Sequence, residues 1–217
     1  MELNKKYFLH LEGMDLAGKS TIARKIKERS KLEWVINNNR LSEKNNIYTF
    51  TNEVGKQNLY DDEIYGYLYY VALMADIKKF KHEKNIIQDS TLLLRSINYH
   101  INEGNDKLVR LFEELVDIHP VPDISIYLTA DIESRFKRLA TRIQDNPESI
   151  SKNDSLILTD PEKFVKMDMK LSEISQKYFN SYVLDTSKLN EDEVVDHIFD
   201  MCDFEQFEKP KLLQNKR

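Results

Sequence analysis

Short apolar runs alternate with longer segments of helical periodicity along most of this chain. The apolar runs predict strands at Tyr7–Leu11, Trp34–Ile36, Ile47–Phe50, Ile86–Gln88, Ile124–Leu128 and Tyr182–Leu184. One of the second and third runs is expected to be short or absent. Helices are predicted near Lys19–Ser30, Ile64–Lys81, Leu92–Asn102, Lys107–Asp117, Ile132–Arg142, Pro161–Asn180 and Glu191–Met201. This alternation is typical of an α/β fold with a mainly parallel sheet between helices.

Two predicted helices carry clear start signals, and two segments lack periodicity. Asp160 before Pro161 combines a capping side chain with proline at the first helical position, and Asn190 precedes three acidic residues in a similar way. The segments Asn37–Asn46 and Gln144–Thr159 are polar and long. Loops of this length in a compact domain are usually functional or disordered, and we interpret both segments as loops with a function.

The most informative segment follows the first apolar run. Gly13, four further residues and then Gly18-Lys19-Ser20 form a phosphate-binding P-loop pattern between a predicted strand and a predicted helix. Such a loop curves backbone N–H groups around phosphate oxygens, and the helix start adds the positive end of its dipole. Lys19 would reach the β- and γ-phosphates, and Ser20 would bind Mg²⁺. The predicted nucleotide-binding residues are Gly13, Asp15, Leu16, Ala17, Gly18, Lys19, Ser20 and Thr21.

A carboxylate follows the predicted strand Ile86–Gln88. Asp89 stands at the carboxyl end of this strand, which is where ligands bind in open α/β sheets. In a P-loop protein it would bind Mg²⁺ or accept the proton of an attacking hydroxyl group. Alternatively, Asp89 caps the helix that begins near Leu92. The two roles are compatible.

Arginines precede the second polar loop. Arg138 and Arg142 are four residues apart on the predicted helix Ile132–Arg142 and therefore share a face with each other. An arginine beside a closing loop stabilises the charge of a transferring phosphoryl group. The alternative is a solvated basic face. With Lys19 and Asp89, these two arginines are the candidate catalytic residues.

Aromatic residues are dense in the predicted helix Ile64–Lys81. Tyr65 and Tyr69 are four residues apart, so they would lie on one face and stack on a planar base. Packing into the core is the ordinary role of such tyrosines, and we expect it for most of this group. Arg95 lies in the next predicted helix and would point back toward the site.

Composition excludes several classes of protein. The chain has 217 residues, so we expect one domain over residues 1–208 and a flexible, basic tail at 209–217. A net charge of -5 argues against a nucleic-acid partner, and no apolar run is long enough to span a membrane. The N-terminal residues lack a signal-peptide pattern, and Cys202 is the single cysteine, which together favour the cytoplasm. The five histidines show no metal-ligand spacing, so no zinc is expected.

With these motifs, the chain resembles the thymidylate kinases and the related deoxynucleoside kinases. The segment Leu11–Thr21 is similar to the P-loop of thymidylate kinases, including the acid Asp15 within the loop. Pro122–Leu128 with the arginines after it resembles the strand and the lid-entry helix of the family, and Leu184–Ser187 resembles its last strand and adenine-side loop. The resemblance implies a three-layer P-loop NTPase fold with a lid at about 143–160. It also implies ATP and Mg²⁺ as cofactors, Asp15 near the 3′-hydroxyl of the acceptor sugar, and a possible homodimer.

The acceptor side departs from the family pattern at two positions. The family has arginine after the aspartate of the third strand, and this chain has Ser90. The family also has an Arg-Glu-Pro-Gly-Gly-Thr segment, of which Thr51–Lys56 is the counterpart, with Asn52 in place of arginine and Glu53 as an acceptor-side residue. Neither asparagine nor serine replaces the charged fork of arginine. Either the phosphate of the acceptor is bound by Arg95, Arg40 or Lys56 instead, or the acceptor is not an ordinary thymidine monophosphate.

We therefore expect an ATP-dependent phosphotransferase that acts on a nucleoside monophosphate or a similar small acceptor, with Asp15, Glu53, Tyr65, Tyr69 and Arg95 on the acceptor side. The first alternative is a kinase of a deoxynucleoside or of a non-nucleotide metabolite. The second is a nucleotide-binding module without catalysis, since a fold does not fix a function.

Overall fold

Five parallel strands form one sheet in the computed structural model of this chain, which describes residues 6–145 and 152–202. Across the sheet the order is β2-β3-β1-β4-β5, and every neighbouring pair is parallel. The strands are β1 (Phe8–Glu12), β2 (Trp34–Asn39), β3 (Asn85–Thr91), β4 (Ile124–Thr129) and β5 (Tyr182–Asp185). Because parallel strands end at the same edge, the ends of β1 and β3 lie side by side, with Leu11 opposite Asp89.

Nine α-helices and a 3-10 turn at Val116–Ile118 complete the described residues. The helices are α1 (Lys19–Arg29), α2 (Asn46–Gln57), α3 (Asp62–Lys79), α4 (Leu92–Asn102), α5 (Asp106–Glu114), α6 (Ile132–Asp145), α7 (Lys152–Thr159), α8 (Pro161–Phe179) and α9 (Glu191–Met201). The two predicted start signals are present. Asp160 accepts a hydrogen bond from the N–H of Lys163, and Asn190 forms a capping box with Glu193.

The helices cover both faces of the sheet. On one face, Leu9 and Leu128 are buried with Ile22 of α1 and Val195 of α9. On the other face, Tyr127 is buried with residues of α4 and α8, such as Leu93 and Leu171. Apolar side chains on both sides of a parallel sheet are what a buried sheet requires. The predicted three-layer α/β arrangement is confirmed.

Of the second and third predicted strands, one of which was expected to be short or absent, the third does not form: Ile47–Phe50 lie in α2. Asn45 caps this helix by accepting a hydrogen bond of 2.9 Å from the N–H of Tyr48. Ile47 and Tyr48 pack against the core on the α3 side. A short apolar run has the same pattern in a strand as in one turn of an amphipathic helix, so periodicity alone did not decide between them.

Both predicted loops contain more regular structure than expected. Asn37–Asn39 belong to β2, and the rest of the first loop is anchored because the N–H of Leu41 donates to Asp76 at 2.9 Å. In the second, α6 continues to Asp145 and α7 occupies Lys152–Thr159, with Ile157 fully buried. The remainder of that predicted lid, residues 146–151, and the predicted tail at 209–217 lie outside the described residues.

Candidate active site

The P-loop connects β1 to α1 and is packed tightly against the sheet. Gly13 has φ +144°, and a Cβ atom there would stand 2.2 Å from the carbonyl oxygen of Leu128. Gly18 also has a positive φ, +96°, directly before α1. Glycine is therefore required at Gly13 both by its conformation and by its contact with β4.

Ser20 and Asp89 meet at the start of α1. The hydroxyl of Ser20 donates a hydrogen bond of 2.5 Å to the Oδ2 atom of Asp89, which is almost fully buried. Asp89 is not the cap of α4, because Thr91 accepts the capping hydrogen bond from the N–H of Leu94. The carboxylate of Asp89 is thus held at the P-loop by Ser20.

Oxygen ligands of this kind fit Mg²⁺. A serine hydroxyl and a carboxylate are hard donors, and Mg²⁺ typically takes only one or two carboxylates, with water and phosphate oxygens as further ligands. Within residues 6–145 and 152–202, no cluster of three or more histidine, cysteine or acidic side chains is suited to a metal ion. Ser20 and Asp89 are therefore the protein ligands that the site offers.

Lys19 lies in the interior of the loop. Its ammonium group donates a hydrogen bond of 3.0 Å to the carbonyl oxygen of Met14, and its side chain is largely buried. Burial lowers the pKa of Lys19, and the charge of Arg95 lowers it further, while Asp15, Asp89 and Glu12 oppose the change. The cation is desolvated and aimed across the loop, where a phosphate would compete with the carbonyl of Met14 for its protons.

Glu12 is a site residue that sequence reasoning missed. Its fully buried carboxylate accepts hydrogen bonds from the N–H of Gly13 at 3.1 Å and from the N–H of Thr91 at 3.0 Å. Burial alone would raise the pKa of Glu12, but Arg95 and His10 outweigh it and lower the pKa to about 2. Glu12 therefore joins the P-loop to the end of β3 as a carboxylate. Its position directly before Gly13 was the available signal.

Arg95 is engaged by the P-loop. Its Nε atom donates to Glu12 at 3.1 Å. Its Nη2 atom donates to the carbonyl oxygen of Gly13 at 2.5 Å and to the hydroxyl of Ser90 at 3.2 Å. Its other Nη atom lies 3.8 Å from the carboxylate of Asp15. Arg95 thus holds α4 against the loop while one side of it lines the acceptor-side cavity described below.

The α6 arginines anchor the backbone of the P-loop. Arg138 donates to the carbonyl oxygen of Leu16 at 2.9 Å and to both the hydroxyl and the carbonyl oxygen of Thr186. Arg135, which is fully buried, donates to the carbonyl oxygen of Asp15 at 2.6 Å and to the carboxylate of Asp168 at 2.8 Å. Asp168 of α8 was not identified from the sequence. Because the donors of Arg138 are bound to Leu16 and Thr186, this arginine joins the P-loop to the segment after β5.

Arg142 joins α6 to α7. One of its Nη atoms lies 3.1 Å from both carboxylate oxygens of Asp154, whose side chain is fully buried. The ion pair therefore fixes α7, which lies in the predicted lid, to the helix that contacts the P-loop.

Two cavities lie on opposite sides of the P-loop. The first, of about 540 Å³, lies between the loop, α6 and the start of α9. Its lining includes Leu16, Ala17, Gly18, Thr21, Arg138, Arg142, Thr186 and Asn190. The second, of about 770 Å³, lies between the loop, α2, α3 and α4. Its lining includes Met14, Asn52, Lys56, Tyr65, Tyr69, Arg95, Ser96 and Asn98. We name them the donor cavity and the acceptor cavity after the roles that we propose for them below.

The two tyrosines of α3 both line the acceptor cavity. The hydroxyl of Tyr65 donates to the carbonyl oxygen of Val54 at 2.9 Å, and that of Tyr69 donates to the side-chain oxygen of Asn52 at 2.7 Å. Their rings are thereby held as walls between α2 and α3. Glu53 is exposed and lines a neighbouring cavity instead.

Comparisons with known proteins address the fold. No family model and no curated protein matches the sequence. Among solved structures, thymidylate kinase from Candida albicans matches with a TM-score of 0.63 and 17% identity over 91% of both chains. Deoxyadenosine kinase from M. mycoides with bound dATP matches with a TM-score of 0.57 and 20% identity, over 89% of this chain and 97% of that chain. The same enzyme with dCMP and dCDP bound matches with a TM-score of 0.56 and 21% identity, over 89% of this chain and 96% of that chain.

The chain has the fold of these kinases. The predicted three-layer P-loop architecture, and the resemblance to thymidylate and deoxynucleoside kinases as far as it concerns the fold, are therefore confirmed. None of the described helices has the length and apolar character needed to cross a membrane.

Proposed function

We propose that this chain transfers the γ-phosphoryl group of ATP to a small acceptor of the nucleoside monophosphate type. One observation carries the proposal: the P-loop is the wall between two cavities, with Leu16, Ala17 and Gly18 on the donor side and Met14 on the acceptor side. A kinase needs this arrangement, because the γ-phosphate must face the acceptor across Lys19 and the Ser20–Asp89 pair. The kinase structures with the same fold support it.

In this proposal ATP occupies the donor cavity. The backbone N–H groups of the P-loop and of the first turn of α1 bind the phosphates, and Lys19 neutralises the β- and γ-phosphates. Ser20 and Asp89 would hold Mg²⁺, which when bound screens the charge of the phosphates. Arg138 keeps the loop and the Thr186 segment together around the nucleotide.

The acceptor occupies the other cavity, between Tyr65, Tyr69 and Arg95, with Asp15 at its edge. The attacking oxygen meets the γ-phosphorus in line, and catalysis consists mostly of positioning and charge stabilisation. In this proposal Asp89 also accepts the proton where the attacking group is a hydroxyl. We propose that α7, joined to α6 by Arg142, belongs to the lid that excludes water during transfer.

A second candidate is a kinase of an uncharged acceptor such as a deoxynucleoside. It is favoured by the contacts of Asn52, whose side-chain oxygen is bound to Tyr69, and of Ser90, whose hydroxyl is bound to Arg95. At both positions the resemblance leads one to expect a phosphate-binding arginine.

We further propose that residues 1–208 form one domain that works in the cytoplasm as a homodimer, without nucleic-acid or membrane partners. A non-catalytic nucleotide-binding role is the outcome if ATP binds and no acceptor is phosphorylated.

The test is a screen of ADP formation by the full chain with Mg-ATP. Candidate acceptors are nucleosides, their monophosphates and a set of small metabolites, and Lys19→Ala is compared with Lys25→Ala. Lys25 lies on the same helix, is paired with Asp192 at the surface and serves as the matched control. We expect acceptor-dependent ADP formation that Lys19→Ala lowers at least about 100-fold, as for the loss of a preorganised charge donor, with unchanged circular dichroism. A folded Lys19→Ala variant of normal activity would reject the proposal.

A further inference from the structure

A third cavity, of about 360 Å³, lies at the carboxyl end of β2 beside the acceptor cavity. Its lining includes Asn38, Arg40, Tyr48, Asn52, Glu53 and Lys56, and two of these, Asn52 and Lys56, also line the acceptor cavity. Asn38 is the register partner of Asp89 in the neighbouring strand. Neighbouring strands are about 4.8 Å apart, so the backbone that lines this third cavity at Asn38 lies one strand away from Asp89.

Arg40 lines this cavity, and no acidic partner is found for it in the part of the chain that the structure describes. It follows a tight turn in which Asn39 has φ +57° and the N–H of Arg40 donates to the carbonyl oxygen of Asn38 at 2.6 Å. Its guanidinium group lies 5.6 Å from the centre of the Tyr48 ring. Among residues 6–145 and 152–202, no carboxylate lies within ion-pair distance of Arg40. Stacking on an aromatic ring leaves the edge of a guanidinium group, with its donors, available to an anion.

Lys56 adds a second cation from α2. It has no carboxylate within ion-pair distance in the described part of the chain, and it stands one turn after Asn52 on the same helix face. The side-chain oxygen of Asn52 accepts from Tyr69, so its amide N–H groups remain as donors. A guanidinium group, an ammonium group and an amide thus line the third cavity, and the ammonium group and the amide belong to residues that also line the acceptor cavity.

Arg95 differs from these two cations because most of its donors already have hydrogen-bond partners. It already donates to Glu12, to the carbonyl oxygen of Gly13 and to Ser90, and it lies near Asp15. The Nε and Nη2 atoms of Arg95 are therefore already engaged, and its Nη1 atom lies 3.8 Å from the carboxylate of Asp15, which would repel an anion. Arg40 and Lys56 have no such carboxylate within ion-pair distance among the described residues.

We propose that Arg40 and Lys56, with the amide of Asn52, form the binding site for a phosphate monoester group of the acceptor. This inference rests on the proposed function and names the residues that would bind the phosphate of its acceptor: the cations Arg40 and Lys56, together with Asn52, which stands where the resemblance leads one to expect an arginine. In the reaction, an oxygen of the acceptor phosphate attacks the γ-phosphorus of ATP and forms a new P–O bond. The bond from the γ-phosphorus to the β–γ bridging oxygen breaks, ADP leaves with the electron pair, and the product is a diphosphate.

Glu53 lines the same cavity with the opposite charge. It is exposed, so solvent screens its effect, but it reduces the attraction of the cavity for an anion. Removing this charge should therefore strengthen the binding of a monophosphate, while removing Arg40 weakens it. A loss of packing would weaken binding in both variants. Opposite effects of two substitutions in one cavity would therefore indicate that charge decides the binding.

The experiment is calorimetric binding without ATP, using the full chain and matched pairs of nucleosides and 5′-monophosphates: the four common deoxynucleosides and the four common ribonucleosides. We expect at least one monophosphate to bind ten or more times more tightly than its nucleoside. Arg40→Gln should weaken the binding of that monophosphate about 10- to 100-fold, which is the range for charged hydrogen bonds. The affinity for the nucleoside should stay unchanged. Lys56→Gln should act in the same direction and Glu53→Gln in the opposite one.

The control is Arg110→Gln, at an exposed arginine of α5 that lines none of the three cavities. The inference is overturned if no monophosphate binds more tightly than its nucleoside, or if Arg40→Gln and Lys56→Gln both leave the preference intact. Its failure is separable from that of the proposed function. If only nucleosides are phosphorylated, the phosphate site is rejected and the kinase activity stands. If a monophosphate binds in a way that depends on Arg40 but no ADP forms, the kinase activity is rejected and the phosphate site stands.

Discussion

The hydroxyl of Ser20 donates a hydrogen bond of 2.5 Å to the carboxylate of Asp89, across 69 residues of sequence. The contact joins the first turn of α1 to the carboxyl end of β3. It places a hydroxyl and a carboxylate where the P-loop would present the phosphates of a nucleotide. Because Thr91 caps α4, the carboxylate of Asp89 is not needed to start that helix.

Asp89→Asn is expected to abolish most activity without unfolding the chain. The amide cannot replace the negative charge that the proposed Mg²⁺ site requires, so kcat should fall at least about 100-fold, as for other preorganised electrostatic groups. The measurement is kcat as a function of Mg²⁺ concentration, together with thermal unfolding. Glu133→Gln, at an exposed glutamate of α6, is the control. Normal kcat in a folded Asp89→Asn variant would contradict the role of Asp89.

Arg138→Met should affect both stability and the use of ATP. The substitution removes the hydrogen bonds to the carbonyl oxygens of Leu16 and Thr186, which connect the P-loop to the segment after β5. Each hydrogen bond to a charged group contributes on the order of 2 kcal/mol. We therefore expect a lower free energy of unfolding in urea and a higher KM for ATP. An unchanged KM for ATP would show that Arg138 acts only through the fold.

The ion pair between Arg142 and Asp154 is expected to couple α6 and α7 during turnover. Asp154 is fully buried and Arg142 is partly exposed, so loss of the arginine leaves a buried carboxylate with one partner fewer. A double-mutant cycle with Arg142→Met and Asp154→Asn should give non-additive changes in kcat/KM, with a coupling of about 1 kcal/mol or more. Strictly additive effects on kcat/KM would exclude this coupling.

Glu12 makes the stability of the chain depend on pH. Its pKa is lowered from 4.5 to about 2 in the folded chain. The stabilisation is therefore fully present above the unfolded pKa and is lost as the pH falls from 4.5 toward 2. A shift of this size corresponds to about 3 kcal/mol. The difference in unfolding free energy between the unchanged chain and Glu12→Gln should be largest at pH 7 and shrink below pH 4.5.

Urea unfolding of both proteins at a series of pH values measures this difference. The same series with Glu133→Gln, at the surface, should show no such pH dependence. A constant difference between pH 7 and pH 3 would mean that Glu12 is not the stabilising carboxylate that its contacts indicate.

Local sequence signals predicted the strands around the site and the P-loop, because strand, glycine turn and helix start each depend on neighbouring residues. The helix Leu92–Asn102 was predicted with its observed bounds for the same reason. Local signals did not separate a strand from a helical turn at Ile47–Phe50.

Contacts between distant residues could not be predicted in this way. The sequence shows that Arg135 is basic, but it does not show its partners. These are the carbonyl oxygen of Asp15, 120 residues away, and the carboxylate of Asp168, 33 residues away. The roles of Arg95 and Arg138 in holding the P-loop likewise depend on how the sheet brings β1, β3 and β4 together. Residue type indicated the charge available to the site, and the fold decides which charges are already paired.

Phosphoryl transfer by this chain is tested most directly by following the label of γ-³²P-ATP with the full chain, Mg²⁺ and the acceptors that promote ADP formation. We predict that the label appears on the acceptor in a one-to-one ratio with ADP and that Lys19→Ala abolishes this transfer. Label found only in inorganic phosphate, or no ADP above that of the Lys19→Ala variant with any acceptor, would contradict the account.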